Sequence, residues 1–412
     1  MNKKKIINDP VYGFITVPSN LIFDLIEHPY FQRLRNIKQL GMTHLVYPGA
    51  LHTRFHHALG AMHLMRMAIE TLKNKGHQIT AAEEEAVTIA ILLHDIGHGP
   101  YSHALEHTIV EGISHEHIST LLMSNLNREF DNKLELAIEI FNNKYHKNFL
   151  HQLVSGQMDI DRLDYLNRDS FFTGVSEGVI GFDRIIKMLD IVDGELVIEI
   201  KGIYSVEKFL IARRLMYWQV YLHKAVVAAE QMLVKILDRA KHLAASGSAL
   251  FATPSLSYFL NNVISEADFR DKPQTLECFT LLDDYDIFTS VKVWASHNDF
   301  ILSTLCKSLL SRNLYHVDIT SDVPDKGIKK ELIDKALAKF PIKESEASYF
   351  VFTDTLSNNA YKVGAENINI LMKDGSVKDI TQASDNSSLE ALSKTVEKHI
   401  LCYSKELKHT TE

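Results

Sequence analysis

The feature that most constrains this 412-residue chain is an apolar helix that runs straight into a charged pair. From Ala86 to Leu93 every residue but Thr88 is apolar, and the next five are His94-Asp95-Ile96-Gly97-His98. Thr80, with Glu83 three residues on, forms a capping box, so the spacing predicts a helix starting near residue 80. A helix apolar on all sides belongs in a core. Burying a His-Asp pair at its end is costly unless something satisfies both side chains. Gly97 and Gly99-Pro100 stop the helix just beyond, so taken alone the pair could simply cap it. The histidine distribution argues for more. Of 21 histidines, 12 lie between His44 and His117, where even scatter would place about four. Histidine is the commonest metal ligand and the usual acid/base at neutral pH. Neighbours on a helix point about 100° apart, so His94 and Asp95 can grip one ion, while His98 lies on the face of His94. Arg54-Phe55-His56-His57 upstream and Asp159-Ile160-Asp161-Arg162-Leu163-Asp164 downstream offer a third nitrogen donor and a second carboxylate.

Other features narrow the setting. Hydrophobic residues at 46% and charged residues at 23% suit a globular protein with a sizeable core. The net charge of -8 argues against a general nucleic-acid binder, while leaving room for a small anionic substrate met by locally clustered bases. The lysines near Met1 precede no apolar segment, so no signal peptide is expected, and no apolar run approaches the roughly 20 residues of a membrane span. Cys278, Cys306 and Cys402 fit no zinc or redox spacing, which points to a cytoplasmic protein.

Hydrophobic periodicity predicts a mainly α chain. A short strand is expected over Val11 to Pro18, a helix from Leu21 to Leu40 ended by Gly41, and another from Thr53 to Leu72. Further helices are expected at 115–127, 130–142, 146–154, 205–243, 256–266 and 298–312, with 155–178 read as a helix end plus an ordered loop. Leu196 to Ile200 reads as an isolated strand. Beyond Asn313, strands are expected at 348–352 and 367–372, a hairpin turn at Lys373-Asp374-Gly375, and a final amphipathic helix over 388–406. The expected organisation is a helical domain over 1–312, with its metal core at about 50–170, and a smaller α+β region over 313–412.

The order His57, His94-Asp95, Asp161 resembles the HD-domain metal-dependent phosphohydrolases. Within them it is most similar to the dNTP triphosphohydrolases, including the enzyme with a sterile alpha motif before its HD domain. The resemblance rests on Asn8-Asp9-Pro10, on Phe31 to Gly41, on Arg54 to Gly60, on His94 to His103, on Ser114-His115-Glu116 and on Asp161 to Tyr165. A weaker match at Tyr221 to Lys224 extends it to about residue 310.

The resemblance implies an HD-type helical bundle that hydrolyses dNTPs to deoxynucleoside and tripolyphosphate. It implies a metal held by His57, His94, Asp95 and Asp161. Two imidazoles and two carboxylates suit one divalent transition ion (Mn, Fe, Ni or Zn), with Mg accompanying the substrate phosphates. Such an ion brings the pKa of water towards about 7. Catalytic roles fall to His98, His103 and His115, with His115 the favoured general acid, and Glu116 and Glu106 orienting these rings. Substrate contacts are implied for Gln39, Leu40, Arg54, Arg162, Tyr165, Asp169 and Tyr221, Arg162 standing where relatives carry lysine. Lys5, Glu27, Gln32 and Arg35 match positions that bind an activating nucleotide in relatives, which often form homo-oligomers, dimers or tetramers; the same four residues could equally form a purely structural cluster. Two other readings fit the same ligand set: hydrolysis of a nucleotide mono- or diphosphate, and a nucleotide sensor of low turnover.

Overall fold

The computed structural model describes residues 5–101, 108, 110, 112–358, 361, 364, 367–386, 389 and 396–408. The chain is mainly helical, with three small sheets among the described residues.

Strands β1 (Ile6–Asp9) and β2 (Gly13–Thr16) form an antiparallel hairpin in which Ile6 faces Thr16 and Asp9 faces Gly13. The Asp9 carboxylate fixes the turn by accepting from the Val11 and Tyr12 amides, each at 2.9 Å. Helix α1 (Asn20–Glu27) follows, capped by Ser19. The single helix expected over 21–40 ends there. Pro29 holds His28 extended at ψ 139°, and the chain continues as a short helical turn and two 3-10 turns, Arg33–Asn36 and Gly41–Leu45. Gly41 therefore caps no helix; it enters the second 3-10 turn at φ +47°.

The body is built on α2 (Arg54–Asn74), α3 (Ala81–Leu93), α4 (His115–Glu129) and α5 (Ile160–Thr173). The capping box is present: Glu83 N donates to Thr80 Oγ1 at 3.2 Å, and Thr80 N donates to Glu83 Oε2 at 2.8 Å. The apolar run of α3 is buried throughout and packs on α2. Helix α5 corrects the loop expected over 155–178. Asp159 caps it, accepting from Arg162 N at 2.8 Å, and Gly174 ends it at φ +75°.

The segment expected as one helix over 205–243 is two. Helix α6 (Ile203–Met216) passes through a π-turn, Tyr217–Tyr221, before α7 (Lys224–Ala245) restarts behind the His223 cap. The Leu196–Ile200 strand is not isolated. It overlaps β4 (Glu195–Glu199), Ile200 starting a 3-10 turn instead, and β4 pairs antiparallel with β3 (Leu189–Val192) and parallel with a strand far along the chain. Beyond residue 313 come β5 (His316–Thr320), β6 (Val351–Asn358), β7 (Asn369–Leu371), β8 (Val377–Asp379) and β9 (Val396–Tyr403). Strand β7 is the partner of β4, so the two regions share a four-stranded sheet in the order β3-β4-β7-β8. Strand β9 overturns the helix expected over 388–406: it is the central strand of β5-β9-β6 and buries Ile400 to Tyr403. Within that segment, residues 388 and 390–395 lie outside the described residues.

Candidate active site

Three helix ends meet at one point. His57 comes from the first turn of α2, His94 and Asp95 from the end of α3, and Asp161 from the first turn of α5. His57 Nε2 lies 3.1 Å from Asp161 Oδ1, 3.4 Å from His94 Nε2 and 3.8 Å from Asp95 Oδ2. His94 Nε2 lies 3.3 Å from Asp95 Oδ1 and 3.4 Å from Asp161 Oδ1. Ligands about 2.1 Å from one ion stand about 3.0 Å apart at right angles and about 3.4 Å apart in a tetrahedron. The separations of 3.1–3.4 Å among His57, His94 and Asp161 are therefore those of donors that could share a divalent ion, while Asp95, 3.8 Å from His57, also groups with His98 and His115. The opposite ring nitrogens are occupied. His57 Nδ1 sits 2.8 Å from Asp164 Oδ2, and His94 Nδ1 sits 2.6 Å from the Ile91 carbonyl, so each ring turns Nε2 towards the cluster. Burial alone lowers the His57 pKa, but hydrogen bonds and charges from Asp161 and Asp164 raise it to about 10. Burial raises the Asp161 carboxyl, and His57 and His94 outweigh it and hold it below the usual carboxylate range.

Asp164 belongs to a buried chain of charges reaching the N-terminal hairpin. Arg168 contacts it twice, Nε to Oδ2 at 2.9 Å and Nη2 to Oδ1 at 3.0 Å, and sends Nη1 to Asp9 Oδ2 at 2.7 Å. The close packing of this chain against α2 requires Gly60: a Cβ there would lie 2.1 Å from both Arg168 Nη2 and Asp164 Oδ1. A second buried arginine holds the turn after α3. Arg33 donates to the carbonyls of Ile96 at 2.8 Å, His98 at 3.0 Å and Leu282 at 3.1 Å.

A cavity of about 380 Å³ adjoins the cluster. Gln39, Leu40, Arg54, Tyr165, Asp169 and Tyr221 all line it. Arg54 joins the two, its Nη1 lying 2.5 Å from Asp95 Oδ2. Asp169 is held by His52 Nε2 at 2.7 Å and by the Tyr221 hydroxyl at 2.8 Å.

Residues 54–169 match the HD domain and residues 180–250 match the HD associated region. YwfO of Bacillus subtilis is 32% identical over 422 residues, spanning 99% of this chain and 94% of that protein. A phosphohydrolase crystal structure from Bacteroides thetaiotaomicron superposes with a TM-score of 0.95 at 54% identity, covering 98% of this chain and 100% of that one. The chain belongs to the HD-domain phosphohydrolase family. A Dictyostelium discoideum protein described as a deoxynucleoside triphosphate triphosphohydrolase SAMHD1 homolog is 32% identical over 255 residues, covering 56% of this chain and 48% of the relative.

Within this HD-domain hydrolase the remaining expected residues fall in three places. His98 and His115 stack beside the cluster, ring centroids 3.8 Å apart, with His98 Nε2 3.3 Å from Asp95 Oδ1 and His115 Nε2 3.3 Å from Glu116 Oε1. Burial, reinforced by Arg54, lowers the His98 pKa to about 3 despite Asp95. Arg162 is not among the cavity-lining residues; it is turned to its own helix start, where its Nη1 donates to the Gly156 carbonyl at 2.5 Å and to Asp159. His103 and Glu106 lie outside the described residues. Away from the cluster, Lys5 Nζ pairs with Glu27 Oε1 at 3.2 Å, and Gln32 links the Ile26 carbonyl to Arg35 through bonds of 2.7 Å each.

Four supporting residues were not read as functional from the sequence: Asp164, Arg168, Arg33 and His52. Asp164 and Arg168 could have been found from spacing, since they follow Asp161 at three and seven residues along one helix face. Arg33 and His52 carry no comparable local signal.

Proposed function

We infer that this protein is a metal-dependent triphosphohydrolase that cleaves dNTPs to deoxynucleoside and tripolyphosphate. The observation that carries the reading is the Arg54–Asp95 contact, which joins a nucleoside-sized cavity to a His/Asp cluster spaced for one divalent ion. The printed description of the Dictyostelium discoideum relative supports the substrate class. His57, His94, Asp95 and Asp161 would hold a divalent transition ion, which when bound supplies Lewis acidity towards phosphate oxygen and a more acidic water.

The chain's own residues supply the rest. Arg54 and the stacked His98 and His115 line the approach to the cluster, where phosphate charge must be neutralised. Water oxygen attacks the α-phosphorus, the bond from that phosphorus to the 5′ oxygen breaks, and the leaving oxygen takes a proton. His115, partly exposed and paired with Glu116, is positioned to donate it. Asp169, fixed by His52 and Tyr221, presents an acceptor to a sugar hydroxyl. The Lys5–Glu27 and Gln32–Arg35 pairs form the surface at which an activating nucleotide would bind a homo-oligomer.

The test replaces Asp161 with Ala and measures bound metal by mass spectrometry together with dNTP turnover. Loss of both is expected. A folded Asp161→Ala variant with full metal and full activity refutes the ligand assignment.

A further inference from the structure

The cavity holds one acidic side chain that the reaction above does not use. Glu230 projects from α7 into the wall shared with Gly41 and Tyr101: a Cβ on Gly41 would lie 3.7 Å from Glu230 Oε1 and 3.8 Å from Tyr101 Cδ1. Leu233, one turn further along α7, lines the same wall. Among the described residues the carboxyl has no ion-pair partner, although Lys38 and Arg54 line the same cavity. Burial is the sole cause that raises its pKa, to about 7. The neighbouring Lys38 is already committed to Asp284, at 3.2 Å. A second acceptor faces the same space: Gln39 Oε1 is buried and meets no donor.

A buried acceptor without a donor is costly, so this wall calls for a ligand that brings N–H groups. Phosphates belong beside Arg54 and the His/Asp cluster, where the guanidinium and the imidazoles gather. What remains for Glu230 is the uncharged end of a nucleotide. Tyr101 and the apolar Leu233, which line the same cavity, suit a planar ring. Resting on the dNTP reading, we propose that Glu230 is a specificity residue that reads the guanine base of the substrate, its two carboxylate oxygens accepting from N1–H and the 2-amino group. Guanine alone among the four bases offers two adjacent donors on that edge. Adenine and cytosine set an acceptor nitrogen beside their amino group, facing a carboxylate oxygen, and thymine flanks one N–H with two carbonyls.

The metal-loaded enzyme is assayed with each of the four dNTPs separately, as wild type, Glu230→Gln and Glu230→Ala. The wild type should favour dGTP. Glu230→Gln turns one acceptor into a donor, matching the amino and ring nitrogen of adenine, and should lower the dGTP to dATP ratio of kcat/KM by about tenfold to a hundredfold. The change should lie mainly in KM for dGTP. Glu230→Ala should lose the dGTP preference and gain none for dATP. Circular dichroism confirms folding; Glu230→Asp, which withdraws the carboxylate by one methylene, carries the same loss of dGTP preference if the Gln variant does not fold. An unchanged ratio across the four dNTPs in a folded Glu230→Gln variant overturns the role of Glu230 and leaves the dNTP reading standing. A wild type that turns over no dNTP overturns both.

Discussion

Asp164→Asn separates a metal-supporting role from a merely structural one. Asp164 Oδ2 accepts from His57 Nδ1 at 2.8 Å with both side chains fully buried, while Arg168 grips both Asp164 oxygens. Asparagine keeps the shape, and its carbonyl can still accept from the His57 ring. What it removes is the negative charge that makes His57 Nε2 a stronger donor. Loss of such a partner typically weakens metal binding about tenfold to a hundredfold, or about 1.4–2.8 kcal/mol. Stability falls as well. Breaking a buried ion pair costs about 3–5 kcal/mol, and Arg168 retains Asp9 at 2.7 Å, so the lower end is expected. Chelator competition against Mn²⁺ gives the affinity, and urea denaturation gives the stability. A folded Asp164→Asn protein that binds Mn²⁺ as tightly as wild type would refute the claim that this carboxylate tunes the His57 donor.

Two further predictions concern the frame. Gly60→Ala in a helix would ordinarily stabilise by about 1 kcal/mol, but here the added Cβ meets Arg168 and Asp164 at 2.1 Å, so destabilisation by about 1–3 kcal/mol is expected in denaturant melts; a stabilised variant contradicts the packing. For Glu83, burial raises the carboxyl pKa, yet Lys147, Tyr145 and Thr80 outweigh this and lower it to about 2. Its folded pKa is thus below its unfolded value of about 4.3, so its contribution is full above that value and is lost as pH falls towards 2, up to about 3 kcal/mol. Acid titration of stability should be shallower across pH 2 to 4 in Glu83→Gln; identical profiles contradict it.

How far the sequence revealed this molecule depends on how each element achieves burial. Helix α3 was legible because its burial is written in apolar residues and its start in the Thr80–Glu83 capping box. Helix α5 was not, because it buries charge. Asp164, Arg168 and Asp169 interrupt the apolar period, and their burial rests on pairing with each other and with Asp9, His57, His52 and Tyr221. Strand β9 was missed for another reason: its apolar run Ile400 to Tyr403 is too short to separate strand from helix, and its pairing residues in β5 and β6 lie 38 or more residues away. Ordered motifs brought the His57, His94, Asp95 and Asp161 group to attention. Arg162 lay beyond such reasoning, since local spacing cannot say whether a side chain faces a cavity or turns back on its own cap, as this one does towards Asp159.

The most direct test of the central claim is to identify the products formed in ¹⁸O-labelled water. Metal-loaded protein is incubated with dGTP and the other dNTPs, and products are separated and weighed by mass spectrometry. Equimolar deoxynucleoside and tripolyphosphate, with the label in the tripolyphosphate, is the predicted result. Deoxynucleoside monophosphate or diphosphate released with pyrophosphate or orthophosphate would contradict it.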